Sequence, residues 1–144
     1  SRGLGDVYKR QLKDVAKKYS NSQLQFDVDA QNIHRYNQEF EIKIFNVTQE
    51  LINNIIKHSK ASYAQIDLKD EKNQLTILVK DDGVGFTTSS SSISDGIGLN
   101  QIAARIQMMN GKLSIESEEN KGTKISIIVP IQAQQKMFGL SSVS

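Results

Sequence analysis

Residues 40–58 divide into two helical faces, and that division constrains the rest of the chain more than any other stretch. With Glu50 at the origin and each residue advanced by about 100°, Asn46, Asn53, Asn54 and Lys57 fall within roughly 60° of it. Ile44, Phe45, Thr48, Leu51, Ile52, Ile55 and Ile56 gather on the opposite side. An apolar stripe of that width has to be covered by another layer. The flanking segments supply one. Leu24, Phe26 and Val28 alternate with polar residues; residues 63–69 and 75–80 read as two strands around a polar turn (DEKNQ); residues 112–117 and 123–131 read as a final pair. Strands in adjacent pairs, with helices between the pairs, predict an α+β two-layer sandwich rather than a doubly wound parallel sheet.

The remaining segments fit that frame. Leu12, Val15, Ala16 and Tyr19 give residues 8–19 the spacing of a short amphipathic helix, and residues 29–38 read as a polar connection. Residues 83–96 are rich in glycine and serine and predict a mobile loop. A helix over residues 97–109 is stopped by Asn110 and Gly111. Residues 12–131 are thus expected to form one domain. Residues 132–144 read as a polar tail, and residues 1–11 (SRGLGDVYKRQ) as a non-native leader resembling a translated adapter artefact; the start at Ser1 predicts a piece of a longer protein.

Composition excludes several chemistries. The absence of cysteine removes disulfide frameworks, thiolate zinc sites and thiol nucleophiles. A net charge of +2 is too small for a polyanion footprint, so no nucleic-acid partner is expected. No apolar run approaches the roughly 18–20 residues that a membrane span needs, and a soluble domain is expected.

Four segments remain as candidates for chemistry. The polar stripe around Glu50 is either a solvated face or a use for neutral amide ligands, since asparagine is a poor helix former and three of them share that face. Asp81-Asp82-Gly83-Val84-Gly85-Phe86 follows a strand directly. It is either an acidic glycine turn or a place where backbone approaches a flat ligand while a carboxylate accepts a hydrogen bond. Gly96-Ile97-Gly98-Leu99 opens a helix, as a flexible cap or as an anion site built from free N–H groups and the helix dipole. Gly122-Thr123 begins the last strand and is by itself a plain turn. The patterns GxxxxGK[ST] and GxGxxG are both absent, which disfavours Walker and Rossmann readings.

Taken in order, E-x-x-x-N on a helix, D-x-G-x-G after a strand, G-x-G-L opening a helix and G-T before a strand strongly resemble the ATP-binding domain of bacterial sensor histidine kinases. That domain belongs to the Bergerat-fold ATPases, and the likeness runs over about residues 39–131, with a short lid. The resemblance implies a mixed, largely antiparallel sheet packed on helices, with ATP and Mg²⁺ as cofactors. By motif position it makes Glu50 the general base, Asn54 the Mg²⁺ ligand and Lys57 a phosphate contact, with His58 bordering the nucleotide. It makes Asp81 the acceptor of the adenine amino group, with Gly83 and Gly85 allowing close approach. Gly96, Gly98 and Leu99 border the triphosphate, Thr123 supports the adenine site, and residues 86–95 form the lid. The Phe-rich box of many relatives is not recognisable beyond Phe86.

A histidine kinase also needs a phosphoacceptor, in this family a His followed by Glu or Asp on dimerisation helices. His34 in the polar connection and His58 in the first box do not fit that role. The resemblance therefore implies a catalytic part whose acceptor helices lie elsewhere in a homodimeric full-length protein. That protein would act with a response regulator, in the cytoplasm, with or without a membrane anchor. The alternatives are an anti-sigma-factor-like serine kinase and a nucleotide-responsive binding module that moves no phosphate.

Overall fold

The computed structural model describes residues 7, 10–14, 17, 24–31, 33, 36–84 and 99–131, with His58 and Ser59 by their backbone alone. Its elements follow the expected order: β1 (Gln25–Gln31), α1 (Gln38–Asn54), β2 (Tyr63–Glu71), β3 (Gln74–Asp81), α2 (Leu99–Met108), β4 (Lys112–Ser117) and β5 (Thr123–Pro130). The chain is also helical across 10–14, where Leu12 is fully buried; its expected companions Val15, Ala16 and Tyr19 lie outside the described residues.

The strands form one sheet in the order β1-β2-β3-β5-β4. β1 is parallel to β2, and the other pairings are antiparallel. A parallel neighbour requires a crossover, which α1 supplies, whereas β2 and β3 need only a hairpin. Lys72 and Asn73 make it with φ of 56° and 61°. Two successive left-handed residues give the tight turn whose twist matches the strands. The polar turn read from the sequence therefore shrinks to these two residues, while Asp70, Glu71 and Gln74 join the ladder.

Alternation along the strands assigns the two faces of the sheet. Ala64, Ile66 and Leu68 of β2, Leu75, Ile77 and Val79 of β3, and Ile125, Ile127 and Val129 of β5 are buried on one face. They form a single core with Ile44, Leu51 and Ile52 of α1 and Leu99, Ile102 and Ile106 of α2. Each such side chain contributes roughly 1.5–3 kcal/mol on burial. This is the α+β two-layer sandwich, with its helices on one side of a mixed, largely antiparallel sheet.

Two stretches depart from expectation. The polar connection is shorter and more anchored than its composition implies: β1 runs to Gln31, and both Ile33 and Tyr36 are buried. The Tyr36 hydroxyl donates to the Asp70 carboxylate at 2.7 Å, so a residue of this connection satisfies a buried acid. Its ring meets Phe40 edge-on at 5.2 Å. On α1, Val47 is also buried, on the flank between the apolar and polar stripes.

Candidate functional site

The ends of α1 are set locally. Asn37 caps the start, its side-chain oxygen accepting from Phe40 N at 2.9 Å, and the Glu41 carboxylate reaches back to Tyr36 N at 2.7 Å. Thr48 sits in the core stripe because its hydroxyl bonds back to the carbonyls of Ile44 and Phe45. With the apolar stripe held against the sheet, Glu50 and Asn54 lie one turn apart on the other face. Glu50 is exposed.

Asn54 is different. Its Nδ2 is buried and has no hydrogen-bond partner among the described residues. Buried side-chain polar atoms are overwhelmingly paired, so an unpaired amide on this stripe is an exception that makes Asn54 a candidate binding residue. The two ends of the amide exchange by rotation, so the position offers either a donor to a phosphate oxygen or a carbonyl oxygen to a cation.

Past Asn54 the helix loosens into a π-turn, Ile55–Ser59, closed by Lys60 in the left-handed conformation at φ 53°. Bonding from i to i+5 adds about one residue per turn. The wheel angle that aligned Lys57 with Glu50 therefore does not carry through this segment, and Lys57 is exposed. His58 belongs to the same turn.

The second half of the site lies at the ends of β3 and β5. Asp81 follows Val79 on the helix-facing side of the sheet, and its direct partner across the ladder is Thr123. Gly83 N donates to Asp81 Oδ1 at 2.8 Å, and the Thr123 N–H also donates to this carboxylate. Burial pushes the Asp81 carboxyl above its ordinary value, aided by neighbouring Asp82 and opposed by the two N–H donors. The Thr123 hydroxyl is 2.9 Å from that of Ser117, whose O–H donates to Gly122 O at 3.1 Å.

Two neighbours of these residues carry roles that the motif does not reveal. Gly122 has φ +88°, and a Cβ there would stand 2.2 Å from the Asp81 carbonyl oxygen. Only glycine lets β5 begin this close to Asp81. Asp82 points elsewhere and accepts from Ser62 N at 2.9 Å, Ser62 Oγ at 2.8 Å and Tyr63 N at 2.9 Å. The bond from Tyr63 N leads in holding its pKa below the ordinary value. The two adjacent acids are thus divided: Asp82 ties down the start of β2, and Asp81 is held beside the candidate site.

Leu99 is buried at the start of α2 and fixes that helix to the core. Gly85, Gly96, Gly98 and the expected lid, residues 86–95, lie outside the described residues. Among the described residues no three His, Cys, Asp or Glu side chains gather as a metal site, and no helix is long and apolar enough to cross a membrane.

Known proteins agree with this arrangement. Sensor kinases share the sequence: the signal transduction histidine-protein kinase/phosphatase DegS of Brevibacillus brevis is 33% identical over 101 residues, covering 70% of this chain and 26% of DegS. The sensor histidine kinase LiaS of Bacillus subtilis is 35% identical over 96 residues, covering 67% of this chain and 26% of LiaS. This chain therefore spans about a quarter of either relative. In fold, the ATP-binding domain of PrrB from Mycobacterium tuberculosis superposes with a TM-score of 0.71 at 19% identity, covering 91% of this chain and 96% of that one. The blue-light activated histidine kinase EL346 of Erythrobacter litoralis gives 0.79 at 20% identity over 92% of this chain and 43% of its own. The model of the histidine kinase-, DNA gyrase B-, and HSP90-like ATPases matches residues 39–133, from the start of α1 to just past β5, and the chain belongs to that family.

Proposed function

We propose that this domain binds ATP with Mg²⁺ and donates the γ-phosphate to a histidine on dimerisation helices of the full-length protein, for onward passage to a response regulator. Membership of the ATPase family and the sensor-kinase relatives support the nucleotide and the class of reaction. The observation that carries the site is the unpaired, buried amide of Asn54, one turn beyond Glu50.

The residues present fit a magnesium nucleotide. Without a cluster of acids or histidines among the described residues, a cation here would be held by the Asn54 amide oxygen and would take its other ligands from phosphate and water, which suits Mg²⁺. When bound, Mg²⁺ neutralises phosphate charge as it develops. In this reading Asn54 holds the metal, and Lys57, His58 and the backbone at Gly96, Gly98 and Leu99 border the phosphates. Asp81 accepts from the adenine amino group while Thr123, Gly83 and Gly85 shape the base site. The same carboxylate repels the guanine carbonyl, which selects adenine. Glu50 takes the proton from the attacking imidazole as its other nitrogen bonds to the γ-phosphorus; the bond from phosphorus to the ADP oxygen breaks, and ADP leaves with the electron pair.

The chain alone is expected to bind ATP without phosphorylating itself, because no acceptor is aligned with the γ-phosphate. With the acceptor hairpin added, labelled phosphate should appear on its histidine as an acid-labile bond. Glu50→Gln should slow that transfer more than it weakens ATP binding. Acid-labile label on His34 of the isolated chain would overturn the assignment of the acceptor, and absence of ATP binding would overturn the whole reading.

A further inference from the structure

β4 ends the sheet, and among the described residues no strand pairs with its far side. A free edge offers its N–H and C=O groups to another strand, and proteins commonly blunt it with proline, a bulge or an inward-pointing charge. β4 carries none of these. Its ladder to β5 runs without a break from Lys112 against Ile128 to Ser117 against Thr123, and its two charges, Lys112 and Glu116, are exposed on the outer face. Leu113 and Ile115 alternate with them toward the core and are only partly buried. The opposite edge of the sheet is guarded by charge. Asp27 and Asp29 flank the buried Val28 of β1, so a second β1 laid antiparallel against it over most of its length sets aspartate against aspartate.

We infer that β4 docks a second copy of this chain, edge to edge and antiparallel, with Lys112 of each copy opposite Glu116 of the other. This docking goes beyond the kinase reading and does not depend on it. The charge pattern of the strand selects both the occupant and the register. Parallel pairing in register sets lysine against lysine and acid against acid, which is destabilising. Antiparallel pairing centred on Ser114 brings Lys112 opposite Glu116 twice over, on the outer face, and Leu113 opposite Ile115 on the core face. Side chains alternate between faces, so the neighbouring registers are displaced by two residues, and each loses one of these matches. Centred on Leu113, the pairing sets Lys112 against Ser114 and carries Glu116 past the end of the strand; centred on Ile115, it sets Ser114 against Glu116 and Leu113 against Ser117. Both charged groups are available, since neither Lys112 nor Glu116 makes an ion pair among the described residues, although Glu116 stands across the ladder from Lys124. A two-fold pairing uses the same edge on both copies, so association closes at a dimer. The axis stands perpendicular to the sheet at Ser114, which keeps both helix layers on one side of the joined sheet. The two β4 strands run in opposite directions, and Ser117 neighbours Thr123, so the two candidate sites lie at opposite ends, clear of the contact. A six-residue ladder is small for a protein interface, and the dimer is correspondingly weak and reversible.

The test follows the full chain by sedimentation velocity over a concentration series reaching the millimolar range. It compares wild type, Lys112→Glu, Glu116→Lys, the double variant carrying both changes, and an equimolar mixture of the two single variants. Wild type should show a monomer–dimer equilibrium. Each single variant should weaken it roughly tenfold, because the two-fold axis repeats the change and turns two attractive pairs into repulsive ones. The double variant restores opposite charges with their signs exchanged and should associate like wild type. The mixture should dimerise although neither component does so alone, a result that a folding defect cannot produce. Ser114→Cys reads the register: residues directly opposite in an antiparallel pair have Cα atoms about 4.5–5.5 Å apart, within disulfide range. The chain has no cysteine of its own, so mild oxidation should link this variant as a dimer and leave Ser126→Cys, one strand further in on the same face, unlinked. Wild type that stays monomeric throughout the series overturns the docking. Dimers that both single variants keep place the contact elsewhere and overturn it as well. Association that grows past the dimer means that β4 meets β1 of the next copy, and the two-fold edge is then wrong.

Discussion

At the scale of single residues, the proposed reading gives Asp81 opposite effects on stability and on binding. Burial raises its pKa above the usual 3.8, so the fold favours its neutral form: the stability it contributes is full below 3.8 and is lost as pH rises through the raised value. The proposed nucleotide recognition needs the charged form. Asp81→Asn should therefore leave the nucleotide-free domain as stable as wild type at pH 7, or more so, since Asn Oδ1 still accepts from Gly83 N. The same change should cost ATP about 1.5–3 kcal/mol of a charge-assisted hydrogen bond, which is at least tenfold in affinity. Wild-type affinity should also begin to fall with acidification at a higher pH than an ordinary carboxylate would set, and the variant should lose that dependence. Calorimetry of binding and of unfolding across pH checks both signs; a variant that binds as tightly as wild type removes Asp81 from the site. Asp82 runs the other way, its lowered pKa giving stability above 3.8 that is lost as pH falls through the folded value. The motif distinguished these neighbouring acids by position alone. What sets them apart physically, three donors from Ser62 and Tyr63 on one and burial of the other, depends on pairing between strands that no local pattern contains. Gly122 was marked by the motif as the start of a turn, but why it must be glycine was not, because the atom a side chain would strike belongs to Asp81 on another strand.

At the scale of elements, α1 was the most legible part of the chain and also shows where periodicity stops. Its apolar stripe, its polar stripe and most of its length follow from a period of 3.6, and the buried set Ile44, Thr48, Leu51, Ile52 and Ile55 agrees with it. Val47 escaped because it lies on the flank between the two stripes, where the wheel alone does not decide burial. The π-turn at Ile55–Ser59 escaped because a wheel assumes a constant rise and angle. Tyr36 escaped because its surroundings in sequence are polar while its partner, Asp70, is two elements away. The orphan amide of Asn54 gives a prediction that separates structure from function on this helix. Removing a buried group that makes no hydrogen bond should cost the free domain little, or stabilise it slightly, since an unsatisfied donor is itself a penalty. Asn54→Ala should thus unfold within about 0.5 kcal/mol of wild type in denaturant, while losing the Mg²⁺ dependence of nucleotide binding. A variant that is destabilised by several kcal/mol, or that keeps full Mg²⁺ dependence, would make Asn54 a structural residue.

At the scale of the whole molecule, the site is assembled by layering. Every element that touches the nucleotide in the proposed reading ends on the helix-covered side of the sheet: Asn54 near the end of α1, Asp81 at the end of β3, Leu99 at the start of α2 and Thr123 at the start of β5. The layer class was legible in the sequence because it needs only the order and pairing of elements. The parallel placement of β1 beside β2 was not read from any local pattern, since it depends on the crossover through α1. A ligand that bridges these four elements binds the folded state alone, so its affinity appears as global stability. At a hundredfold excess over its dissociation constant, ATP with Mg²⁺ should add about 2.7 kcal/mol. For a domain of 144 residues this is roughly 10 °C in Tm. GTP at the same concentration should leave Tm near the nucleotide-free value, because the Asp81 carboxylate faces the guanine carbonyl, and ATP without Mg²⁺ should give a smaller rise than ATP with it. Scanning calorimetry reads all three on the same chain. An equal rise with GTP would detach Asp81 from base recognition, an equal rise without Mg²⁺ would detach Asn54 from the metal, and no rise with either nucleotide would mean that the four elements do not share a ligand.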